Sequence, residues 1–500
     1  MCWIWAIYSK NSDGVQDAEN LAIMLKWLGH RWPDAAWANL ASDHYYTQIG
    51  TNLWVDDNFL SMARLMRIAR SDNVWGGRQD VRGLVHTRYA TNDSAHNPHN
   101  AQPKRVGDRW EKLIITLNGN IPNHLEIRQK ELAGEVSFQT MGDTETLARF
   151  ILNRIQKALQ ETGWDIRESI RKAVCEVLDI FKWWYSVIGD YEGEVFAFKD
   201  KYGIRPLVIW KKPWSMIMAS EDHFFPETGH EYYGELPNGH LLFVWPSDSL
   251  DGEYAPEPEN LLTENLSQHP DCFEFVYLAK RDSRLFWVLV KDIRTSLGEY
   301  ATRELLLTAW IHNYRDVVSV PNGANDMKVG ACKALRIDSD NQNWLTKICN
   351  VRSFMGATQS ERERLVKMKF RVNPHTGEND GGKDLLIDDS IVRGNTMKVL
   401  VPMMLKTRTR SVQVLSSSPI VKNGDRYGIA MSTNSLTARD KIEDKILTCE
   451  QIERELFCDR DGRLIARLFF PSVEGFKDVF KAHGLPNIHA AYFDGNFIHG

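Results

Sequence analysis

The strongest chemical signal in the sequence is the segment DLLIDDSIVRGNT at residues 384–396, where a strand-forming run ends in two adjacent carboxylates. Ligands of open parallel sheets bind beyond the carboxyl ends of the strands, so this strand would deliver Asp388 and Asp389 to the rim of a site. The turn that follows would aim backbone N–H groups, a hydroxyl and the positive end of a helix at one point, which suits a phosphate. Paired acids accept hydrogen bonds from vicinal hydroxyls and help to hold a divalent cation. The segment therefore predicts a site for a phosphorylated ribose; the alternative is that Asp389 or Ser390 only caps a helix.

The elements around this segment predict a parallel sheet. After residue 272 the sequence alternates between helical and short apolar stretches. These are SLGEYATRELLLTAWI from residue 296, DVVSV from 316, DLLI from 384, a helix from about Met397, and SVQVLSSS from 411. Strands that alternate with helices favour a parallel sheet with crossover helices.

The first half has a different pattern, in which short apolar runs alternate with turn residues. The stretch GEVFAFKDKYGIRPLVIW predicts a strand, a turn near Tyr202 and Gly203, and a second strand. Two helices are predicted, one over DAENLAIMLKWLGH (17–30) and one whose apolar residues recur at three- and four-residue steps from Ile166 to Phe181. This half therefore predicts two sheets covered by helices, and the polar, proline-bearing residues 247–271 predict a linker.

Composition restricts the class of protein. A chain of 500 residues predicts two or three domains, because single cores rarely grow past roughly 250 residues. A net charge of −5 gives no reason to expect nucleic acid or an anionic membrane as a partner. No apolar run reaches the roughly 18 residues that span a bilayer, and the first residues lack a basic stretch followed by a long apolar one, so we expect a cytoplasmic protein. The seven cysteines include no C-x-x-C pair, and Cys2 differs from the others in following only the initiator methionine.

The 384–396 segment resembles the phosphoribosyl diphosphate (PRPP) loop of type I phosphoribosyltransferases, and its Ser-Ile-Val-Arg-Gly form is closest to the glutamine PRPP amidotransferases. The resemblance implies that Asp388 and Asp389 hold the ribose hydroxyls and Mg²⁺. It also implies that DVVSVPNGAN (316–325) is the pyrophosphate loop and that Lys347, in a segment similar to the family's flexible loop, binds PRPP. The residues implied to cradle the 5′-phosphate are Ser390, Ile391, Val392, Arg393, Gly394, Asn395 and Thr396.

The same resemblance implies a class II glutaminase in the first half. Cys2, exposed by removal of Met1, would be the nucleophile, with its own α-amine as base. LGHRWPDAA (28–36) matches a segment of the family, HTRYAT (86–91) supplies Arg88 for the glutamine carboxylate with Thr91 nearby, and GDTE (142–145) supplies Asp143 for the ammonium group. Asn118 and Gly119 match the oxyanion hole. The alternatives are a surface salt bridge for Arg88 and a hairpin turn for Asn118-Gly119.

Several positions depart from the family pattern. Trp3, Trp32 and Trp37 stand where the family has glycine, and an indole cannot replace glycine where backbones approach closely. Lys367 and Lys369 lie in a basic stretch that is either anion-binding or a solvated face. Cys272 falls near one ligand position of the iron–sulfur cluster that some members carry, but without a C-x-x-C pair we expect no cluster.

These observations predict an αββα N-terminal nucleophile glutaminase domain at residues 2–245, a linker at 246–271, an α/β phosphoribosyltransferase domain at 272–460 and a C-terminal extension at 461–500. The resemblance implies glutamine-dependent amidophosphoribosyltransferase activity in de novo purine synthesis, with internal ammonia transfer. It also implies Mg²⁺, feedback by purine nucleotides and a homo-oligomer, commonly a tetramer. The tryptophans leave two alternatives open, namely a nucleotide- or PRPP-binding regulatory homologue and an ammonia-dependent transferase with an impaired glutaminase.

Overall fold

The structure is a computed structural model. It describes residues 3–12, 35–42, 46–52, 79–88, 102–108, 111–223, 228–244, 256–308, 313–338, 344–348, 367–373, 382–407, 409–425, 431, 433, 436–440 and 445–498. No helix within these ranges combines the length and the apolar character needed to cross a bilayer. The predicted helix at 17–30 lies outside the described residues.

The N-terminal half consists of antiparallel strands and three helices within the described ranges. The strands are β1 (Trp3–Ser12), β2 (Ala35–Ser42), β3 (Tyr46–Asn52), β4 (Gln79–Arg88), β5 (Lys104–Gly107), β6 (Lys112–Asn120), β7 (Trp184–Tyr191), β8 (Glu194–Lys199), β9 (Val208–Lys212), β10 (Ser215–Ala219), β11 (Glu231–Glu235), β12 (His240–Phe243) and β13 (Glu259–Asn260). The helices are α1 (His124–Glu131), α2 (Asp143–Glu161) and α3 (Ile166–Ile180).

These strands form two sheets that pack face to face. Among the described strands, seven form one sheet in the order β11-β9-β10-β1-β4-β2-β3, and six form the other in the order β13-β12-β8-β7-β6-β5. Strand alternation decides which side chains lie between them. Ile4 and Ala6 of β1 pack with Ile114 of β6 in this inter-sheet core, whereas Trp5 and Ile7 join a core on the other face of the seven-stranded sheet.

Helices α2 and α3 cover the other face of the six-stranded sheet. Leu113, Ile115 and Leu117 of β6 are fully or almost fully buried in the same cluster as residues of both helices. Helix α3 confirms the prediction made from apolar spacing. It begins after Asp165, whose carboxylate accepts a hydrogen bond from the Glu168 amide, and this caps the first turn. The described layers are therefore helix, sheet and sheet, which are three of the four layers of the predicted αββα sandwich.

The C-terminal half contains the predicted parallel sheet. The described strands of this half are β14 (Arg284–Leu285), β15 (Val288–Leu289), β16 (Tyr314–Ser319), β17 (Leu345–Lys347), β18 (Phe370–Val372), β19 (Lys383–Asp388), β20 (Ser411–Ser416) and β21 (Ala466–Phe469). Its described helices are α4 (Val290–Thr308), α5 (Asn325–Leu335), α6 (Asn395–Thr407), α7 (Cys449–Phe457), α8 (Val473–Ala482) and α9 (Ala491–Asp494). Strands β16, β19, β20 and β21 are hydrogen-bonded in that order, all parallel.

Two details differ from the sequence pattern. Helix α4 begins at Val290, six residues before the predicted start at Ser296, because its buried stripe continues upstream through Ile293 between charged residues. Strand β21 lies within the predicted C-terminal extension, yet it pairs with β20 as the edge of the parallel sheet. The predicted domain boundaries stay predictions. Strand β21, at Ala466–Phe469, begins a few residues after the predicted boundary at 460.

Candidate active sites

The carboxylates predicted to hold a ribose lie at the end of β19, one of the two interior strands of the described parallel sheet. Leu385, Leu386 and Ile387 of β19 are fully buried, as expected of a strand covered on both faces. Asp388 ends the strand and Asp389 follows it, at 9% and 8% exposure. Neither Asp389 nor Ser390 caps the next helix, because α6 begins at Asn395. The capping alternative is therefore excluded.

The neighbouring strand β20 fixes the backbone of this acidic pair. The Ser417 amide donates to the Asp388 carbonyl oxygen at 2.9 Å, and the Ser418 hydroxyl donates to the Asp389 carbonyl oxygen at 2.7 Å. The Ser390 hydroxyl donates to the Asp389 carboxylate at 3.1 Å. Since Ser417 and Ser418 follow directly after β20, the two strand ends hold one another. The sequence analysis did not single out this pair of serines.

The predicted pyrophosphate loop lies directly against the acidic pair. The loop between β16 and α5 contains Gly323, and a Cβ at that position would lie 2.0 Å from Oδ2 of Asp389. A side chain there would displace the carboxylate, so this position requires glycine. The Val320 amide also donates to the Ile387 carbonyl oxygen at 2.9 Å, which ties the loop to β19. The structure thus brings together the two segments that the sequence assigned to one ligand.

The negative charges of Asp388 and Asp389 would be stabilised by cations or hydrogen-bond donors, because both carboxyl groups are buried. Burial and the adjacent Asp389 carboxylate raise the pKa of Asp388 well above its usual range. Burial raises the pKa of Asp389 to about 6, against the lowering effect of the Arg294 guanidinium. Lys369 also lowers the pKa of both carboxyl groups. Lys369 is half-buried and Lys367 is exposed, and the anion-binding alternative for this basic stretch stays a prediction.

Arg294 is a cation that the sequence analysis missed. It is 4% exposed on α4, where its side chain donates to the carbonyl oxygens of Phe275 and Ala279 at 2.7 Å each. These bonds hold its charge close enough to act on Asp389. The available signal was an arginine beside the buried positions Val290, Ile293 and Leu297 of an otherwise amphipathic helix.

The segment predicted to cradle a phosphate forms a turn into α6. Ile391 is buried, and Val392 and Arg393 are half-buried. Gly394 has φ +68°, and a Cβ there would lie 2.3 Å from Leu456 Cδ2. Asn395 and Thr396 are the first residues of the helix and are half-buried, so the positive helix end lies just beyond the acidic pair.

Lys347 lies on a small hairpin. It ends β17 and pairs with Phe370 of β18. The Ile348 amide donates to the Lys369 carbonyl oxygen at 2.9 Å, so Lys347 and Lys369 belong to the same two-stranded unit. Lys347 is half-buried. The rest of the predicted flexible loop, from 349 to 355, lies outside the described residues.

The predicted oxyanion hole lies inside the sandwich, on β6. Asn118 is fully buried, and its Nδ2 donates to the Ser220 hydroxyl at 3.1 Å. A Cβ at Gly119 would lie 2.2 Å from the Trp184 carbonyl oxygen, so the neighbouring strand β7 requires glycine here. Both residues pair with β7 within a continuous strand. The alternative of a hairpin turn at Asn118-Gly119 is therefore wrong.

Asp143 lies next to the end of that strand. It is the first residue of α2, and its carboxylate accepts hydrogen bonds from the amides of Ile121 at 3.1 Å and Thr144 at 2.7 Å. Burial raises the pKa of Asp143, while these amides and the nearby His124 act in the opposite direction. In space, therefore, the predicted ammonium-binding acid lies beside the end of the strand that carries the predicted oxyanion hole.

The remaining predicted glutaminase residues are only partly described. Arg88 ends β4 opposite Ala35 of β2, and its side chain lies outside the description. Cys2 and Thr91 also lie outside the described residues, as do Trp32 and most of the 28–36 segment. Trp3 begins β1 and pairs with Thr87, the residue before Arg88. Strand β1, which follows Cys2, and strand β4, which ends at Arg88, are thus adjacent.

Comparisons with known proteins agree with both halves of this arrangement. Residues 86–227 match the family described as glutamine amidotransferase domain. An amidophosphoribosyltransferase of Saccharomyces cerevisiae is 26% identical over 427 residues, covering 84% of this chain and 79% of the relative. An amidophosphoribosyltransferase of Haemophilus influenzae is 26% identical over 488 residues, covering 95% of this chain and 91% of the relative.

A solved structure shows the same fold over almost the whole chain. It is the glutamine PRPP amidotransferase from B. subtilis complexed with ADP and GMP, with a TM-score of 0.75, 23% identity, and coverage of 99% of this chain and 97% of that one. The predicted fold class, a glutaminase sandwich followed by a parallel-sheet phosphoribosyltransferase, is confirmed. Over most of its length the chain is therefore similar to amidophosphoribosyltransferases.

Proposed function

We propose that the protein is a glutamine-dependent amidophosphoribosyltransferase. It would convert glutamine, PRPP and water into 5-phosphoribosylamine, glutamate and pyrophosphate, the first step of de novo purine synthesis. The observation that carries this proposal is the buried Asp388–Asp389 pair, which lies against Gly323 at the carboxyl end of strand β19. Relatives aligned over most of their length bear the name of this activity.

In the transferase half, positioning would do most of the work. Asp388 and Asp389 would accept hydrogen bonds from the ribose hydroxyls, and residues 390–396 would hold the 5′-phosphate. The loop around Gly323 would offer backbone amides to the pyrophosphate, and Lys347 and Lys369 lie on a hairpin that could add positive charge. No protein nucleophile is needed, because oriented ammonia can displace pyrophosphate directly.

The acidic pair also fits the predicted Mg²⁺. Two buried carboxylates, each with a raised pKa, are an oxygen donor set that a hard divalent cation would neutralise. The described residues contain no group of three or more His, Cys, Asp or Glu side chains arranged to hold a metal ion. Substrate oxygens and water would therefore complete the coordination, as is common for Mg²⁺. When bound, Mg²⁺ supplies charge neutralisation to the departing pyrophosphate.

In the glutaminase half, Cys2 would attack the side-chain amide of glutamine and form a thioester, with its α-amine as base. Arg88, Thr91 and Asp143 would bind the amino-acid end of the substrate. The Asn118 side chain and the Gly119 amide would face the oxyanion. Ammonia would then pass internally to the second site.

Further properties are proposed from the family resemblance. They are a homo-oligomer, commonly a tetramer, feedback by purine nucleotides, and a cytoplasmic location. The nucleotide proposal has additional support in the related B. subtilis structure, which was solved with ADP and GMP. We propose that no iron–sulfur cluster is present, because Cys272 has no C-x-x-C partner.

One assay tests this function against its alternatives. Purified protein is incubated with glutamine, PRPP and Mg²⁺, and glutamate and pyrophosphate are measured. PRPP-dependent glutamate release that disappears in Cys2→Ala supports the proposal. Pyrophosphate release with ammonia alone would favour the ammonia-dependent transferase, and nucleotide binding without turnover would favour the regulatory homologue. Trp3, at the start of β1 where the family has glycine, is the reason to keep both alternatives in the design.

A pair of variants tests the carboxylates in the same assay. Asp388→Asn with Asp389→Asn should lower PRPP-dependent turnover at least about a hundredfold. The matched control is Asp384→Asn at the opposite end of the same strand, where a fully buried carboxylate is paired with Arg315 at 3.0 Å. The control should be less stable but active. Equal losses in both variants would mean that the effect is one of folding.

A further inference from the structure

Ser220 connects the predicted oxyanion hole to the N-terminal strand. It directly follows β10, which ends at Ala219 opposite Trp5 of β1. The Ser220 amide donates to the Ile4 carbonyl oxygen at 3.1 Å, and the Ile4 amide donates to the Ser220 hydroxyl at 3.3 Å. The same hydroxyl receives the Asn118 amide group at 3.1 Å. The Ser220 side chain therefore joins β6 of one sheet to β1 of the other. Its contact on β1 is Ile4, which lies two residues after Cys2 in the sequence.

The Asn118 amide has one partnered end and one unpartnered end. Asn118 is fully buried and Ser220 is 1% exposed. Among the described residues, Oδ1 of Asn118 has no hydrogen-bond partner. A buried amide oxygen without a partner is costly, so the unpartnered end points to a group that the protein is built to receive.

The orientation of the amide decides what that group is. The oxygen and nitrogen of an asparagine amide are distinguished only by their hydrogen-bond network. If the two exchange places, the Ser220 hydroxyl donates to Oδ1 and still accepts from the Ile4 amide. The hydroxyl would then no longer depend on its 3.5 Å contact with the Ile4 carbonyl oxygen. Both N–H groups of Asn118 would face the unpartnered side, where they could meet a negatively charged oxygen.

We propose that Ser220 is a positioning residue for the oxyanion hole: its hydroxyl holds the Asn118 amide oxygen and thereby turns the Asn118 N–H groups toward the substrate. This inference rests on the proposed glutaminase function. Ser220 itself touches no reacting atom. It acts by fixing one of the two orientations of the Asn118 amide. The hydrogen bond from the Ile4 amide holds the Ser220 hydroxyl against β1, the strand that follows Cys2.

The test compares Ser220→Ala with Ser215→Ala. Ser215 is a matched control because it is a buried serine of β10 whose hydroxyl also bridges to β1, at 2.8 Å from the Ser9 hydroxyl. Steady-state glutaminase kinetics should show kcat lowered at least about tenfold in Ser220→Ala, since a misdirected oxyanion donor loses transition-state stabilisation. KM for glutamine should stay within about twofold, because ground-state binding is unchanged. Ser215→Ala should match the wild type.

A second readout separates chemistry from folding. Alkylation of Cys2 by iodoacetamide, followed by mass spectrometry of the N-terminal peptide, forms no oxyanion. Its rate in Ser220→Ala should equal that of the wild type if only the oxyanion hole is affected. A slower alkylation that parallels the loss of kcat would overturn the proposal, since the nucleophile itself would then be disturbed. Unchanged kcat in Ser220→Ala would also overturn it.

A third measurement does not depend on turnover. In a thermal double-mutant cycle, Ser220→Ala and Asn118→Ala should lower the melting temperature less together than the sum of the single changes. Additive shifts would overturn the contact on which the proposal depends. If the wild type hydrolyses no glutamine, the proposed function fails. A surviving coupling in the cycle would then assign Ser220 a structural role only, which overturns its catalytic positioning.

Discussion

Single glycines show how closely the predicted ligand-binding segments approach one another. Gly323 leaves no space for a methyl group, because Oδ2 of Asp389 occupies the position at 2.0 Å. We expect Gly323→Ala to lower PRPP-dependent turnover at least about tenfold by displacing the carboxylate, at a cost in stability of about 1–3 kcal/mol. Gly382→Ala, directly before β19, is the control, since the nearest atoms to its Cβ would be Cβ and Cδ of Arg315 at 3.0 Å, a milder approach than at Gly323. Equal activity of the two variants in pyrophosphate release would contradict the close approach.

A buried carboxyl group predicts a pH dependence of stability. Burial raises the pKa of Asp222 from 3.8 to about 7, although its Oδ1 accepts a hydrogen bond from the Arg284 amide at 2.7 Å. The folded protein then holds this proton more tightly than the unfolded chain. The contribution of Asp222 to stability is therefore full below about pH 4 and is lost as the pH rises through about 7.

The variant Asp222→Asn keeps an acceptor for Arg284 and removes the titration. Relative to this variant, the wild type should lose up to about 4 kcal/mol of unfolding free energy between about pH 4 and pH 8. Urea denaturation across that range measures the difference. Asp179→Asn, at a carboxylate that is 75% exposed, is the control and should give a flat difference. A flat difference for Asp222→Asn as well would mean that Asp222 is ionised in the folded protein without penalty.

At the level of helices and loops, Arg128 of α1 holds the loop that presents Asp143. Its guanidinium donates to the carbonyl oxygens of Thr140 at 2.7 Å and Gly142 at 2.8 Å, and to the Thr146 hydroxyl at 2.7 Å. We expect Arg128→Met to raise KM for glutamine about tenfold with little change in kcat, because Asp143, the predicted ammonium-binding acid, would lose its fixed position. Glutaminase kinetics measure both constants. Arg154→Met, which breaks the bonds of α2 to Glu131 and Glu176, should leave KM unchanged.

Helices and strands whose apolar residues recur at regular spacing could be predicted from the sequence. Contacts between segments that are distant in the sequence could not. Helix α3 and strand β19 were predictable because apolar spacing alone determines what they bury. The approach of Gly323 to Asp389 was not, since it depends on how two loops from different strands meet. Arg294 and Ser220 were missed for the same reason. Each lies within an ordinary helix or strand end, and its partner is about 100 residues away in the sequence.

Across the whole molecule, a short polar path joins the two candidate sites. Ser220 contacts Asn118, and the next residue, Glu221, accepts hydrogen bonds from the Lys280 amide at 2.6 Å and the Ser283 hydroxyl at 2.7 Å. Between these two partners lies Arg281, which is paired with Asp326 of α5 at 2.7 Å. Helix α5 begins directly after the loop that contains Gly323. These contacts connect the loop that contains Gly323 with the predicted oxyanion hole, so we expect a change of that loop on PRPP binding to affect glutamine hydrolysis.

We expect Glu221→Gln to weaken this communication. The amide would be a poorer acceptor for Lys280 and Ser283, so the ratio of glutamine hydrolysis with PRPP to hydrolysis without it should fall severalfold. Glu235→Gln is the matched control, because Glu235 is also buried and also joins the two halves, through the Phe286 amide at 2.6 Å, but it contacts neither site. Glutamate release measured over a PRPP titration gives the ratio for both variants. If Glu235→Gln lowers it as much as Glu221→Gln does, the coupling depends on the junction as a whole and not on the path through Ser220 and Glu221.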